Sequence, residues 1–327
     1  MSARELARRH YVARQRLVRA TSAEGVRLWR KVDPANLSGS WAPMLARLLV
    51  VVTGAQLAAA RTADRYVSEM LAAQGLDPAA AGQVVAESLA GIASDGRDLA
   101  SLLLNPVIAT KRAISTQLTQ FDRIWLDRAL AAGQASLEMT VRTQVADAGR
   151  VADGIAVAAR PRIGYVRMLV GDSCPRCVIL AGRFYRYSSG FERHPNCDCV
   201  HIPSVEDAAG DFTTDPRRAF EDGRVRGLSK ADEQAVRDGA DLAQVVNARR
   251  GMKVAGSRVE TRADGTVVTH RGRVVSPRGR TTEGITRRGF AGQRLGGRER
   301  LMPEELYRRA TSRDDAVRLL REHGYLM

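Results

Sequence analysis

The sequence predicts a mainly α-helical protein with a small α+β domain of the zinc-knuckle type, a helical N-terminal half and an extended basic C-terminal arm. Apolar residues recur at helical spacing in the first half, and all four cysteines fall between Cys174 and Cys199. Residues 249–300 carry fourteen Arg or Lys against four Asp or Glu, a net charge of +10. We therefore expect a helical domain over 1–160, an α+β domain with the cysteine cluster over 161–252, and a basic arm with a hairpin and C-terminal helices over 253–327.

The N-terminal half is predicted to be helical up to Pro161. A basic helix is expected from Arg4 to Lys31, and a second from Pro43, a residue type that opens helices, to Gly75. Residues 79–93 and the long run 107–159 are expected to continue as helices. Their apolar stripe predicts the core of a bundle and consists of Ile114, Leu118, Phe121, Trp125, Leu126 and Leu130.

Shorter elements are predicted in the second half. Residues 164–170 have the pattern of a strand, and short helices are expected over 216–223 and 229–247. Alternating residues around Asp264-Gly265 predict a hairpin with a tight turn. Pro303 opens a short helical pair that Gly324 ends.

The composition limits the classes of partner and compartment. A net charge of +15 indicates a polyanion or an acidic protein surface as partner, whereas 5% aromatic residues disfavour a stacking platform for single-stranded nucleic acid. The most apolar run, 48–60, is too short to span a membrane, and no membrane association is expected. No signal-peptide pattern is present, so we expect the chain to fold in the cytosol, where reduced thiols favour metal binding over disulfides.

The cysteine cluster has the ligand spacing of a structural zinc site. Cys174-Pro-Arg-Cys177 is followed, after a loop, by His194-Pro-Asn-Cys197-Asp-Cys199. His201 is a sixth candidate ligand, and the preferred set is Cys174, Cys177 and Cys199 with either His194 or Cys197. Four protein ligands leave no position for an activated water, so the ion would hold the fold. A redox pair and a metal-free knuckle of packed thiols are the alternatives.

The motif Asp172-x-Cys174-x-x-Cys177, Gly182-Arg-Phe184, His194-Pro-x-Cys197-x-Cys199 and Pro203 resembles the Mu F-like minor head protein domain of tailed bacteriophages. The family usually has Arg where this chain has Asp198, a position that is not a ligand candidate. Residues 238–252 and 281–289 are similar to segments of the actinobacteriophage branch.

This resemblance implies a low-copy head component, made in the bacterial cytoplasm and built into the virion with portal, scaffold and major capsid proteins. Members of the branch are often labelled capsid maturation protease, so that activity is the alternative function. Ser173 with His194 or His201 would be the residues to support it, although Ser173 is more simply the neighbour of a ligand. A cellular zinc-ribbon nucleic-acid binder is a third interpretation.

The arm offers a second candidate site. Its arginines would neutralise packaged DNA or an acidic portal or scaffold surface, and the alternative is a solvated tail. The residues concerned are Arg271, Arg273, Arg278, Arg280, Arg287, Arg288 and Arg294. His10, His270 and His323 lie in polar stretches and are expected to be solvated.

Overall fold

The computed structural model is mainly helical and contains a small three-stranded sheet. It divides into two compact units, residues 1–170 with 181–214, and residues 171–180 with 215–327. The predicted domain boundaries, the zinc knuckle and the extended character of the arm stay predictions. The structure describes residues 1–94, 96, 98–115, 123–187, 199–251, 255–261, 267–273, 280–281, 300–301, 306 and 308–323.

Among the described residues of the first unit, the α-helices number six. They are α1 (Ala3–Trp29), α2 (Leu37–Ala60), α3 (Ala63–Ala72), α4 (Leu99–Leu102), α5 (Asn105–Ser115) and α6 (Arg123–Ala158). The prediction of α1 is confirmed, and its start is fixed by a capping box in which Ser2 and Glu5 satisfy each other's backbone amides. The long run 107–159 is likewise helical in its described parts, as α5 and α6.

Two helix predictions are wrong. Helix α2 begins at Leu37, where the Asn36 side chain caps the amide of Gly39 at 3.1 Å, and Pro43 lies inside the helix. Residues 79–93 form no α-helix; a short 3₁₀ turn, Ala86–Leu89, stands there instead. The backbone of that segment bonds to distant groups, since Ala81 donates to the Ala159 carbonyl at 2.8 Å. These tertiary hydrogen bonds replace the backbone hydrogen bonds of the α-helix that the alanine-rich composition favours.

A helical core is built around two tryptophans. Their rings meet edge to face with centroids 5.2 Å apart, and the indole of Trp41 donates to the Leu103 carbonyl at 3.0 Å while that of Trp29 donates to the Leu130 carbonyl at 3.1 Å. Leu48 and Leu137 are fully enclosed beside them. Of the predicted stripe, Ile114 and Leu130 pack against this core, whereas Leu118 and Phe121 lie outside the described residues.

A long apolar stretch contributes to this core. Among the described residues, Pro34–Ala72 is long and apolar enough to cross a membrane by length and composition alone, with a mean hydropathy of 1.6 in its most apolar window. Leu48 and Val52 of this stretch are completely buried in the helical core. In that window 28% of the residues are buried, and core helices as well as membrane spans meet this length and composition test.

The three strands of the sheet are β1 (Gly164–Met168), β2 (Phe184–Arg186) and β3 (Val200–Ser204). They are antiparallel in the order β2-β1-β3, and every residue of β1 and β3 is buried. The strand predicted at 164–170 is therefore confirmed as β1. Tyr66 and Met70 of α3 and Ile202 of β3 belong to one buried cluster, so helices and sheet share a core.

The second unit contains short helices and hairpins. Its elements are α7 (Pro175–Leu180), α8 (Pro216–Glu221), α9 (Lys230–Arg237), α10 (Leu242–Gly251), β4 (Ala255–Thr261), β5 (Val267–Arg273), β6 (Arg280–Thr281), β7 (Arg300–Leu301) and α11 (Arg313–Glu322). The predicted hairpin is confirmed in its strands, because β4 pairs antiparallel with β5. Its Asp264-Gly265 turn lies outside the described residues.

Candidate functional site

The structure places the predicted zinc ligands in different elements. Cys174 and Cys177 lie at the start of α7 in the second unit, and Cys199 directly precedes β3 in the first. His194 and Cys197 lie outside the described residues. No disulfide joins the three described cysteines, so each keeps its thiol.

The turn between Cys174 and Cys177 is organised around sulfur. The backbone amide of Cys177 donates to the Cys174 Sγ at 3.4 Å, and the Val178 amide starts the helix by bonding the Cys174 carbonyl at 3.1 Å. A hydrogen bond donated to sulfur favours its thiolate form, which is the metal-binding form. The turn therefore holds Cys174 and Cys177 within one short segment, with a backbone amide directed at the Cys174 sulfur.

The chain before this turn is anchored within the second unit. The backbone of Ser173 bonds in parallel register with the neighbouring segment, donating to the Arg224 carbonyl at 3.1 Å and accepting from the Arg226 amide at 2.9 Å. The side chain of Arg226 binds the Asp172 carboxylate through Nε at 3.0 Å and Nη2 at 2.6 Å. These contacts fix the position of Cys174 and give Ser173 a structural role.

The complete ligand set stays a prediction. Cys199 is buried, and its carbonyl accepts a hydrogen bond from the Arg150 Nε at 3.3 Å. Within the described ranges, no group of three or more His, Cys, Asp or Glu is arranged to hold a metal ion. Cys174 and Cys177 belong to one short turn, and their role as metal ligands stays a prediction.

His201 is enclosed in the interior of the first unit. Its ring lies 4.3 Å from the Tyr165 ring, its carbonyl accepts a hydrogen bond from the Tyr66 hydroxyl at 2.5 Å, and only 1% of the residue is exposed. Burial lowers the pKa of His201 to about 3, so the imidazole is neutral at neutral pH. A base in this position has no path to a polypeptide substrate.

A buried charge cluster lies near His201, and the sequence did not reveal it. Arg14 of α1 binds Asp153 of α6 through two hydrogen bonds, and His10 stacks on the Tyr66 ring at 3.7 Å. Burial alone would raise the pKa of Asp153, but the charge of Arg14, its hydrogen bonds to the carboxylate and the nearby His10 ring outweigh it and hold the pKa well below its ordinary range. The expectation of a solvated His10 is wrong, since its side chain is only 9% exposed.

A second buried ion pair connects α6 to the sheet. Arg150 bonds Asp147 at 3.0 Å as well as the Cys199 carbonyl, and both acidic and basic side chains are almost fully covered. The charges of Arg150 and Asp147 are paired inside the core, where a substrate does not reach them. Their contacts therefore position helices and strands. The only sequence signal for them is a charged residue within an apolar helix face, as at Asp153 in its Val-Ala-Asp-Gly-Ile-Ala context.

The predicted polyanion site is described only in part. Arg271 and Arg273 belong to β5 and Arg280 to β6, whereas Arg278, Arg287, Arg288 and Arg294 lie outside the described residues. The role of these arginines stays a prediction.

Comparison with protein families identifies a match that covers most of the chain. A family model described as VG15 protein matches residues 1–222, which run from the start of the chain through α8. The match includes the whole first unit, the turn of Cys174 and Cys177, and the position of Cys199. No curated protein and no solved structure matches the chain.

Proposed function

The chain belongs to the VG15 protein family, a viral protein family, and from this premise we propose that it is a minor capsid protein of a tailed bacteriophage. Its role would be structural, in head morphogenesis at or near the portal, and its final location the virion. Family membership is compatible with a phage protein, and the Mu F-like motif between Asp172 and Pro203 supports the finer role.

One observation carries the structural interpretation. The sheet that bears the motif residues Phe184 and Pro203 shares its core with long helices, through the Tyr66 to His201 and Arg150 to Cys199 hydrogen bonds. The Tyr66 hydroxyl and the Arg150 guanidinium at this junction are buried and hydrogen-bonded, and the His201 ring is enclosed. Proteolysis needs a nucleophile and a base that a substrate can reach, and this buried arrangement favours a scaffold for assembly contacts.

The proposed partners are the portal, scaffold and major capsid proteins. The net charge of +15 favours acidic surfaces, and the arm containing Arg271, Arg273 and Arg280 is the segment that we propose contacts packaged DNA. Both contacts are electrostatic, so they can form without a preorganised apolar interface.

We also propose a structural zinc ion at the cysteine cluster. Cys174 and Cys177 would supply one chelating pair, and the spacing of the sequence assigns the other ligands to His194, Cys197 and Cys199. A zinc ion with four protein ligands would hold the chain segments together and would not activate water.

The function is tested by co-expressing the chain with its portal, scaffold and major capsid proteins and purifying the procapsids. We expect the chain at low copy in the particles, reduced incorporation when the portal is omitted, and unchanged intact masses of scaffold and capsid protein. Particles that lack the chain under these conditions would contradict the proposal. Cleavage of scaffold or capsid protein that depends on the chain, and disappears in Ser173→Ala or His194→Ala, would instead identify a maturation protease.

A further inference from the structure

The outward face of α1 carries a row of arginines. Arg8, Arg16, Arg19 and Arg30, here called the α1 arginine row, are all exposed, and Arg30 keeps helical backbone angles at the end of the helix. At about 100° and 1.5 Å per residue, the four side chains fall within an arc of about 80° over a length of about 33 Å. The row is therefore a straight, narrow line of positive charge.

The acidic side chains of α1 bind other groups and make no ion pair with the row. The Glu5 carboxylate accepts the Ser2 amide at 2.8 Å in the capping box, and Glu24 is bound by Arg27 at 2.6 and 2.8 Å. Within the part of the chain that the structure describes, none of the four row side chains makes an ion pair. Several exposed arginines elsewhere differ, such as Arg61, which pairs with Glu87 at 2.8 Å.

Folding does not require these charges. The opposite face of α1 supplies the core contacts, with Leu6, Val18 and Leu28 buried. Arg16 and Arg19 are three residues apart, a spacing at which like charges weakly destabilise a helix. The row thus gives the isolated chain no stabilising contact, and its charge is available to a partner. We propose that the α1 arginine row binds the backbone phosphates of double-stranded DNA.

The chemistry of the face favours DNA over an acidic protein. Its other exposed residues include Val12, Ala20 and Ala23, and it has no aromatic side chain of the kind that anchors protein interfaces. Phosphate binding needs only correctly spaced cations, and about 33 Å of duplex carries roughly twenty phosphate charges. Contacts of this kind fix a protein on the duplex without reading its sequence. The row lies outside the C-terminal arm, so this inference is independent of the arm's proposed role.

The test is a salt titration of full-length protein with a fluorescent duplex of random sequence. Replacing Arg8, Arg16, Arg19 and Arg30 with Gln should lower the slope of log K against log salt by about 3.6, and weaken binding at least about tenfold near 0.1 M salt. Replacing the same four residues with Lys should preserve most of the binding, because phosphate contacts depend on charge.

A matched variant separates the row from net charge. Arg61, Arg142, Arg186 and Arg217 are exposed and paired with Glu87, Glu138, Glu206 and Glu221, so their replacement by Gln removes the same charge from other surfaces. We expect this control to bind DNA more tightly than the row variant at every salt concentration. Equal binding by the two variants overturns the proposal. Unchanged DNA binding by the row variant, with loss of binding to purified acidic scaffold protein, also overturns it and assigns the row to a protein partner.

Discussion

The guanidinium of Arg14 donates hydrogen bonds to both carboxylate oxygens of Asp153, at 2.5 and 2.9 Å, between residues 139 positions apart in the sequence. The same guanidinium donates to the Ala59 carbonyl and the Thr62 hydroxyl, each at 3.2 Å. One side chain of α1 therefore connects α2 and α6 inside the first unit. The pair stabilises this helix arrangement only while both charges are present, because a single buried charge is strongly unfavourable.

Asp153→Asn should destabilise the protein by about 3–5 kcal/mol, since it leaves the Arg14 charge buried without its counter-ion. The free energy of unfolding in denaturant measures the effect. Combining Arg14→Met with Asp153→Leu should cost less than Asp153→Asn alone, because neither partner of this pair then leaves an unpaired buried charge. The exposed pair of Arg61 and Glu87 is the control, and Arg61→Gln should change stability by at most about 1 kcal/mol. Similar losses at both pairs would contradict the argument.

His10 should make the fold sensitive to mild acid. Burial and the nearby charges of Arg14 and Arg65 lower the pKa of His10, while Asp153 acts in the opposite direction. Because its folded pKa is below the unfolded value, the unfolded chain binds more protons as the pH falls below about 6.5, and stability declines. His10→Phe keeps a ring against Tyr66 and removes the titration. Between pH 6.5 and 5 we expect the unfolding free energy of this variant to fall less steeply than that of the original protein. Part of the pH dependence should remain, because the pKa of His201 is also lowered, to about 3.

Two glycines of α6 should respond oppositely to alanine. A methyl group at Gly133 would overlap both the Thr110 hydroxyl and the Trp29 ring and lie 3.0 Å from the Pro106 carbonyl, whereas no atom lies within 4 Å of one at Gly154. Gly133→Ala should therefore destabilise by about 1–3 kcal/mol through overpacking between α5 and α6. Gly154→Ala should stabilise by about 0.5–1 kcal/mol through helix propensity. Thermal melts of both variants provide the measurement, and stabilisation at both positions would show that α5 does not approach Gly133 closely.

Local signals predicted much of the secondary structure. Apolar spacing located α1, alternation located β1 and the paired strands β4 and β5, and proline with glycine marked the short helices after Thr214. The prediction failed where hydrogen bonds to residues distant in the sequence determine the backbone conformation. Gln56 of α2 binds residues near Gly91, accepting from its amide at 2.9 Å, and Asp64 accepts from the Val84 amide at 2.8 Å. Such contacts hold residues 79–93 in a non-helical path that composition does not encode.

The buried charges were beyond sequence analysis for the same reason. Arg14 and Asp153 each stand on an otherwise apolar helix face, which marks them as unusual but does not identify their partners. Their pairing depends on how α1 and α6 cross, and that follows from the packing of the whole unit. The cysteine cluster differs, because the spacing of Cys174 and Cys177 predicts metal ligands from the sequence alone, and the structure contains an amide-to-sulfur bond in that turn.

The cysteine cluster provides the last prediction. Purified protein should contain about one Zn²⁺ per chain by elemental analysis, since four thiolate and imidazole ligands close around a single ion. Cys174→Ser and Cys177→Ser should each lower the zinc content and the melting temperature together, because ion binding and folding are coupled. Ser173→Ala is the matched control variant and should retain the zinc, since Ser173 is bound to its surroundings through backbone groups.

Zinc loss should also require a chelator that competes for thiolate, and removal of the zinc should expose Cys174 and Cys177 to alkylation. Metal-free protein whose melting temperature is unchanged by Cys174→Ser would leave the two thiols as packing groups only.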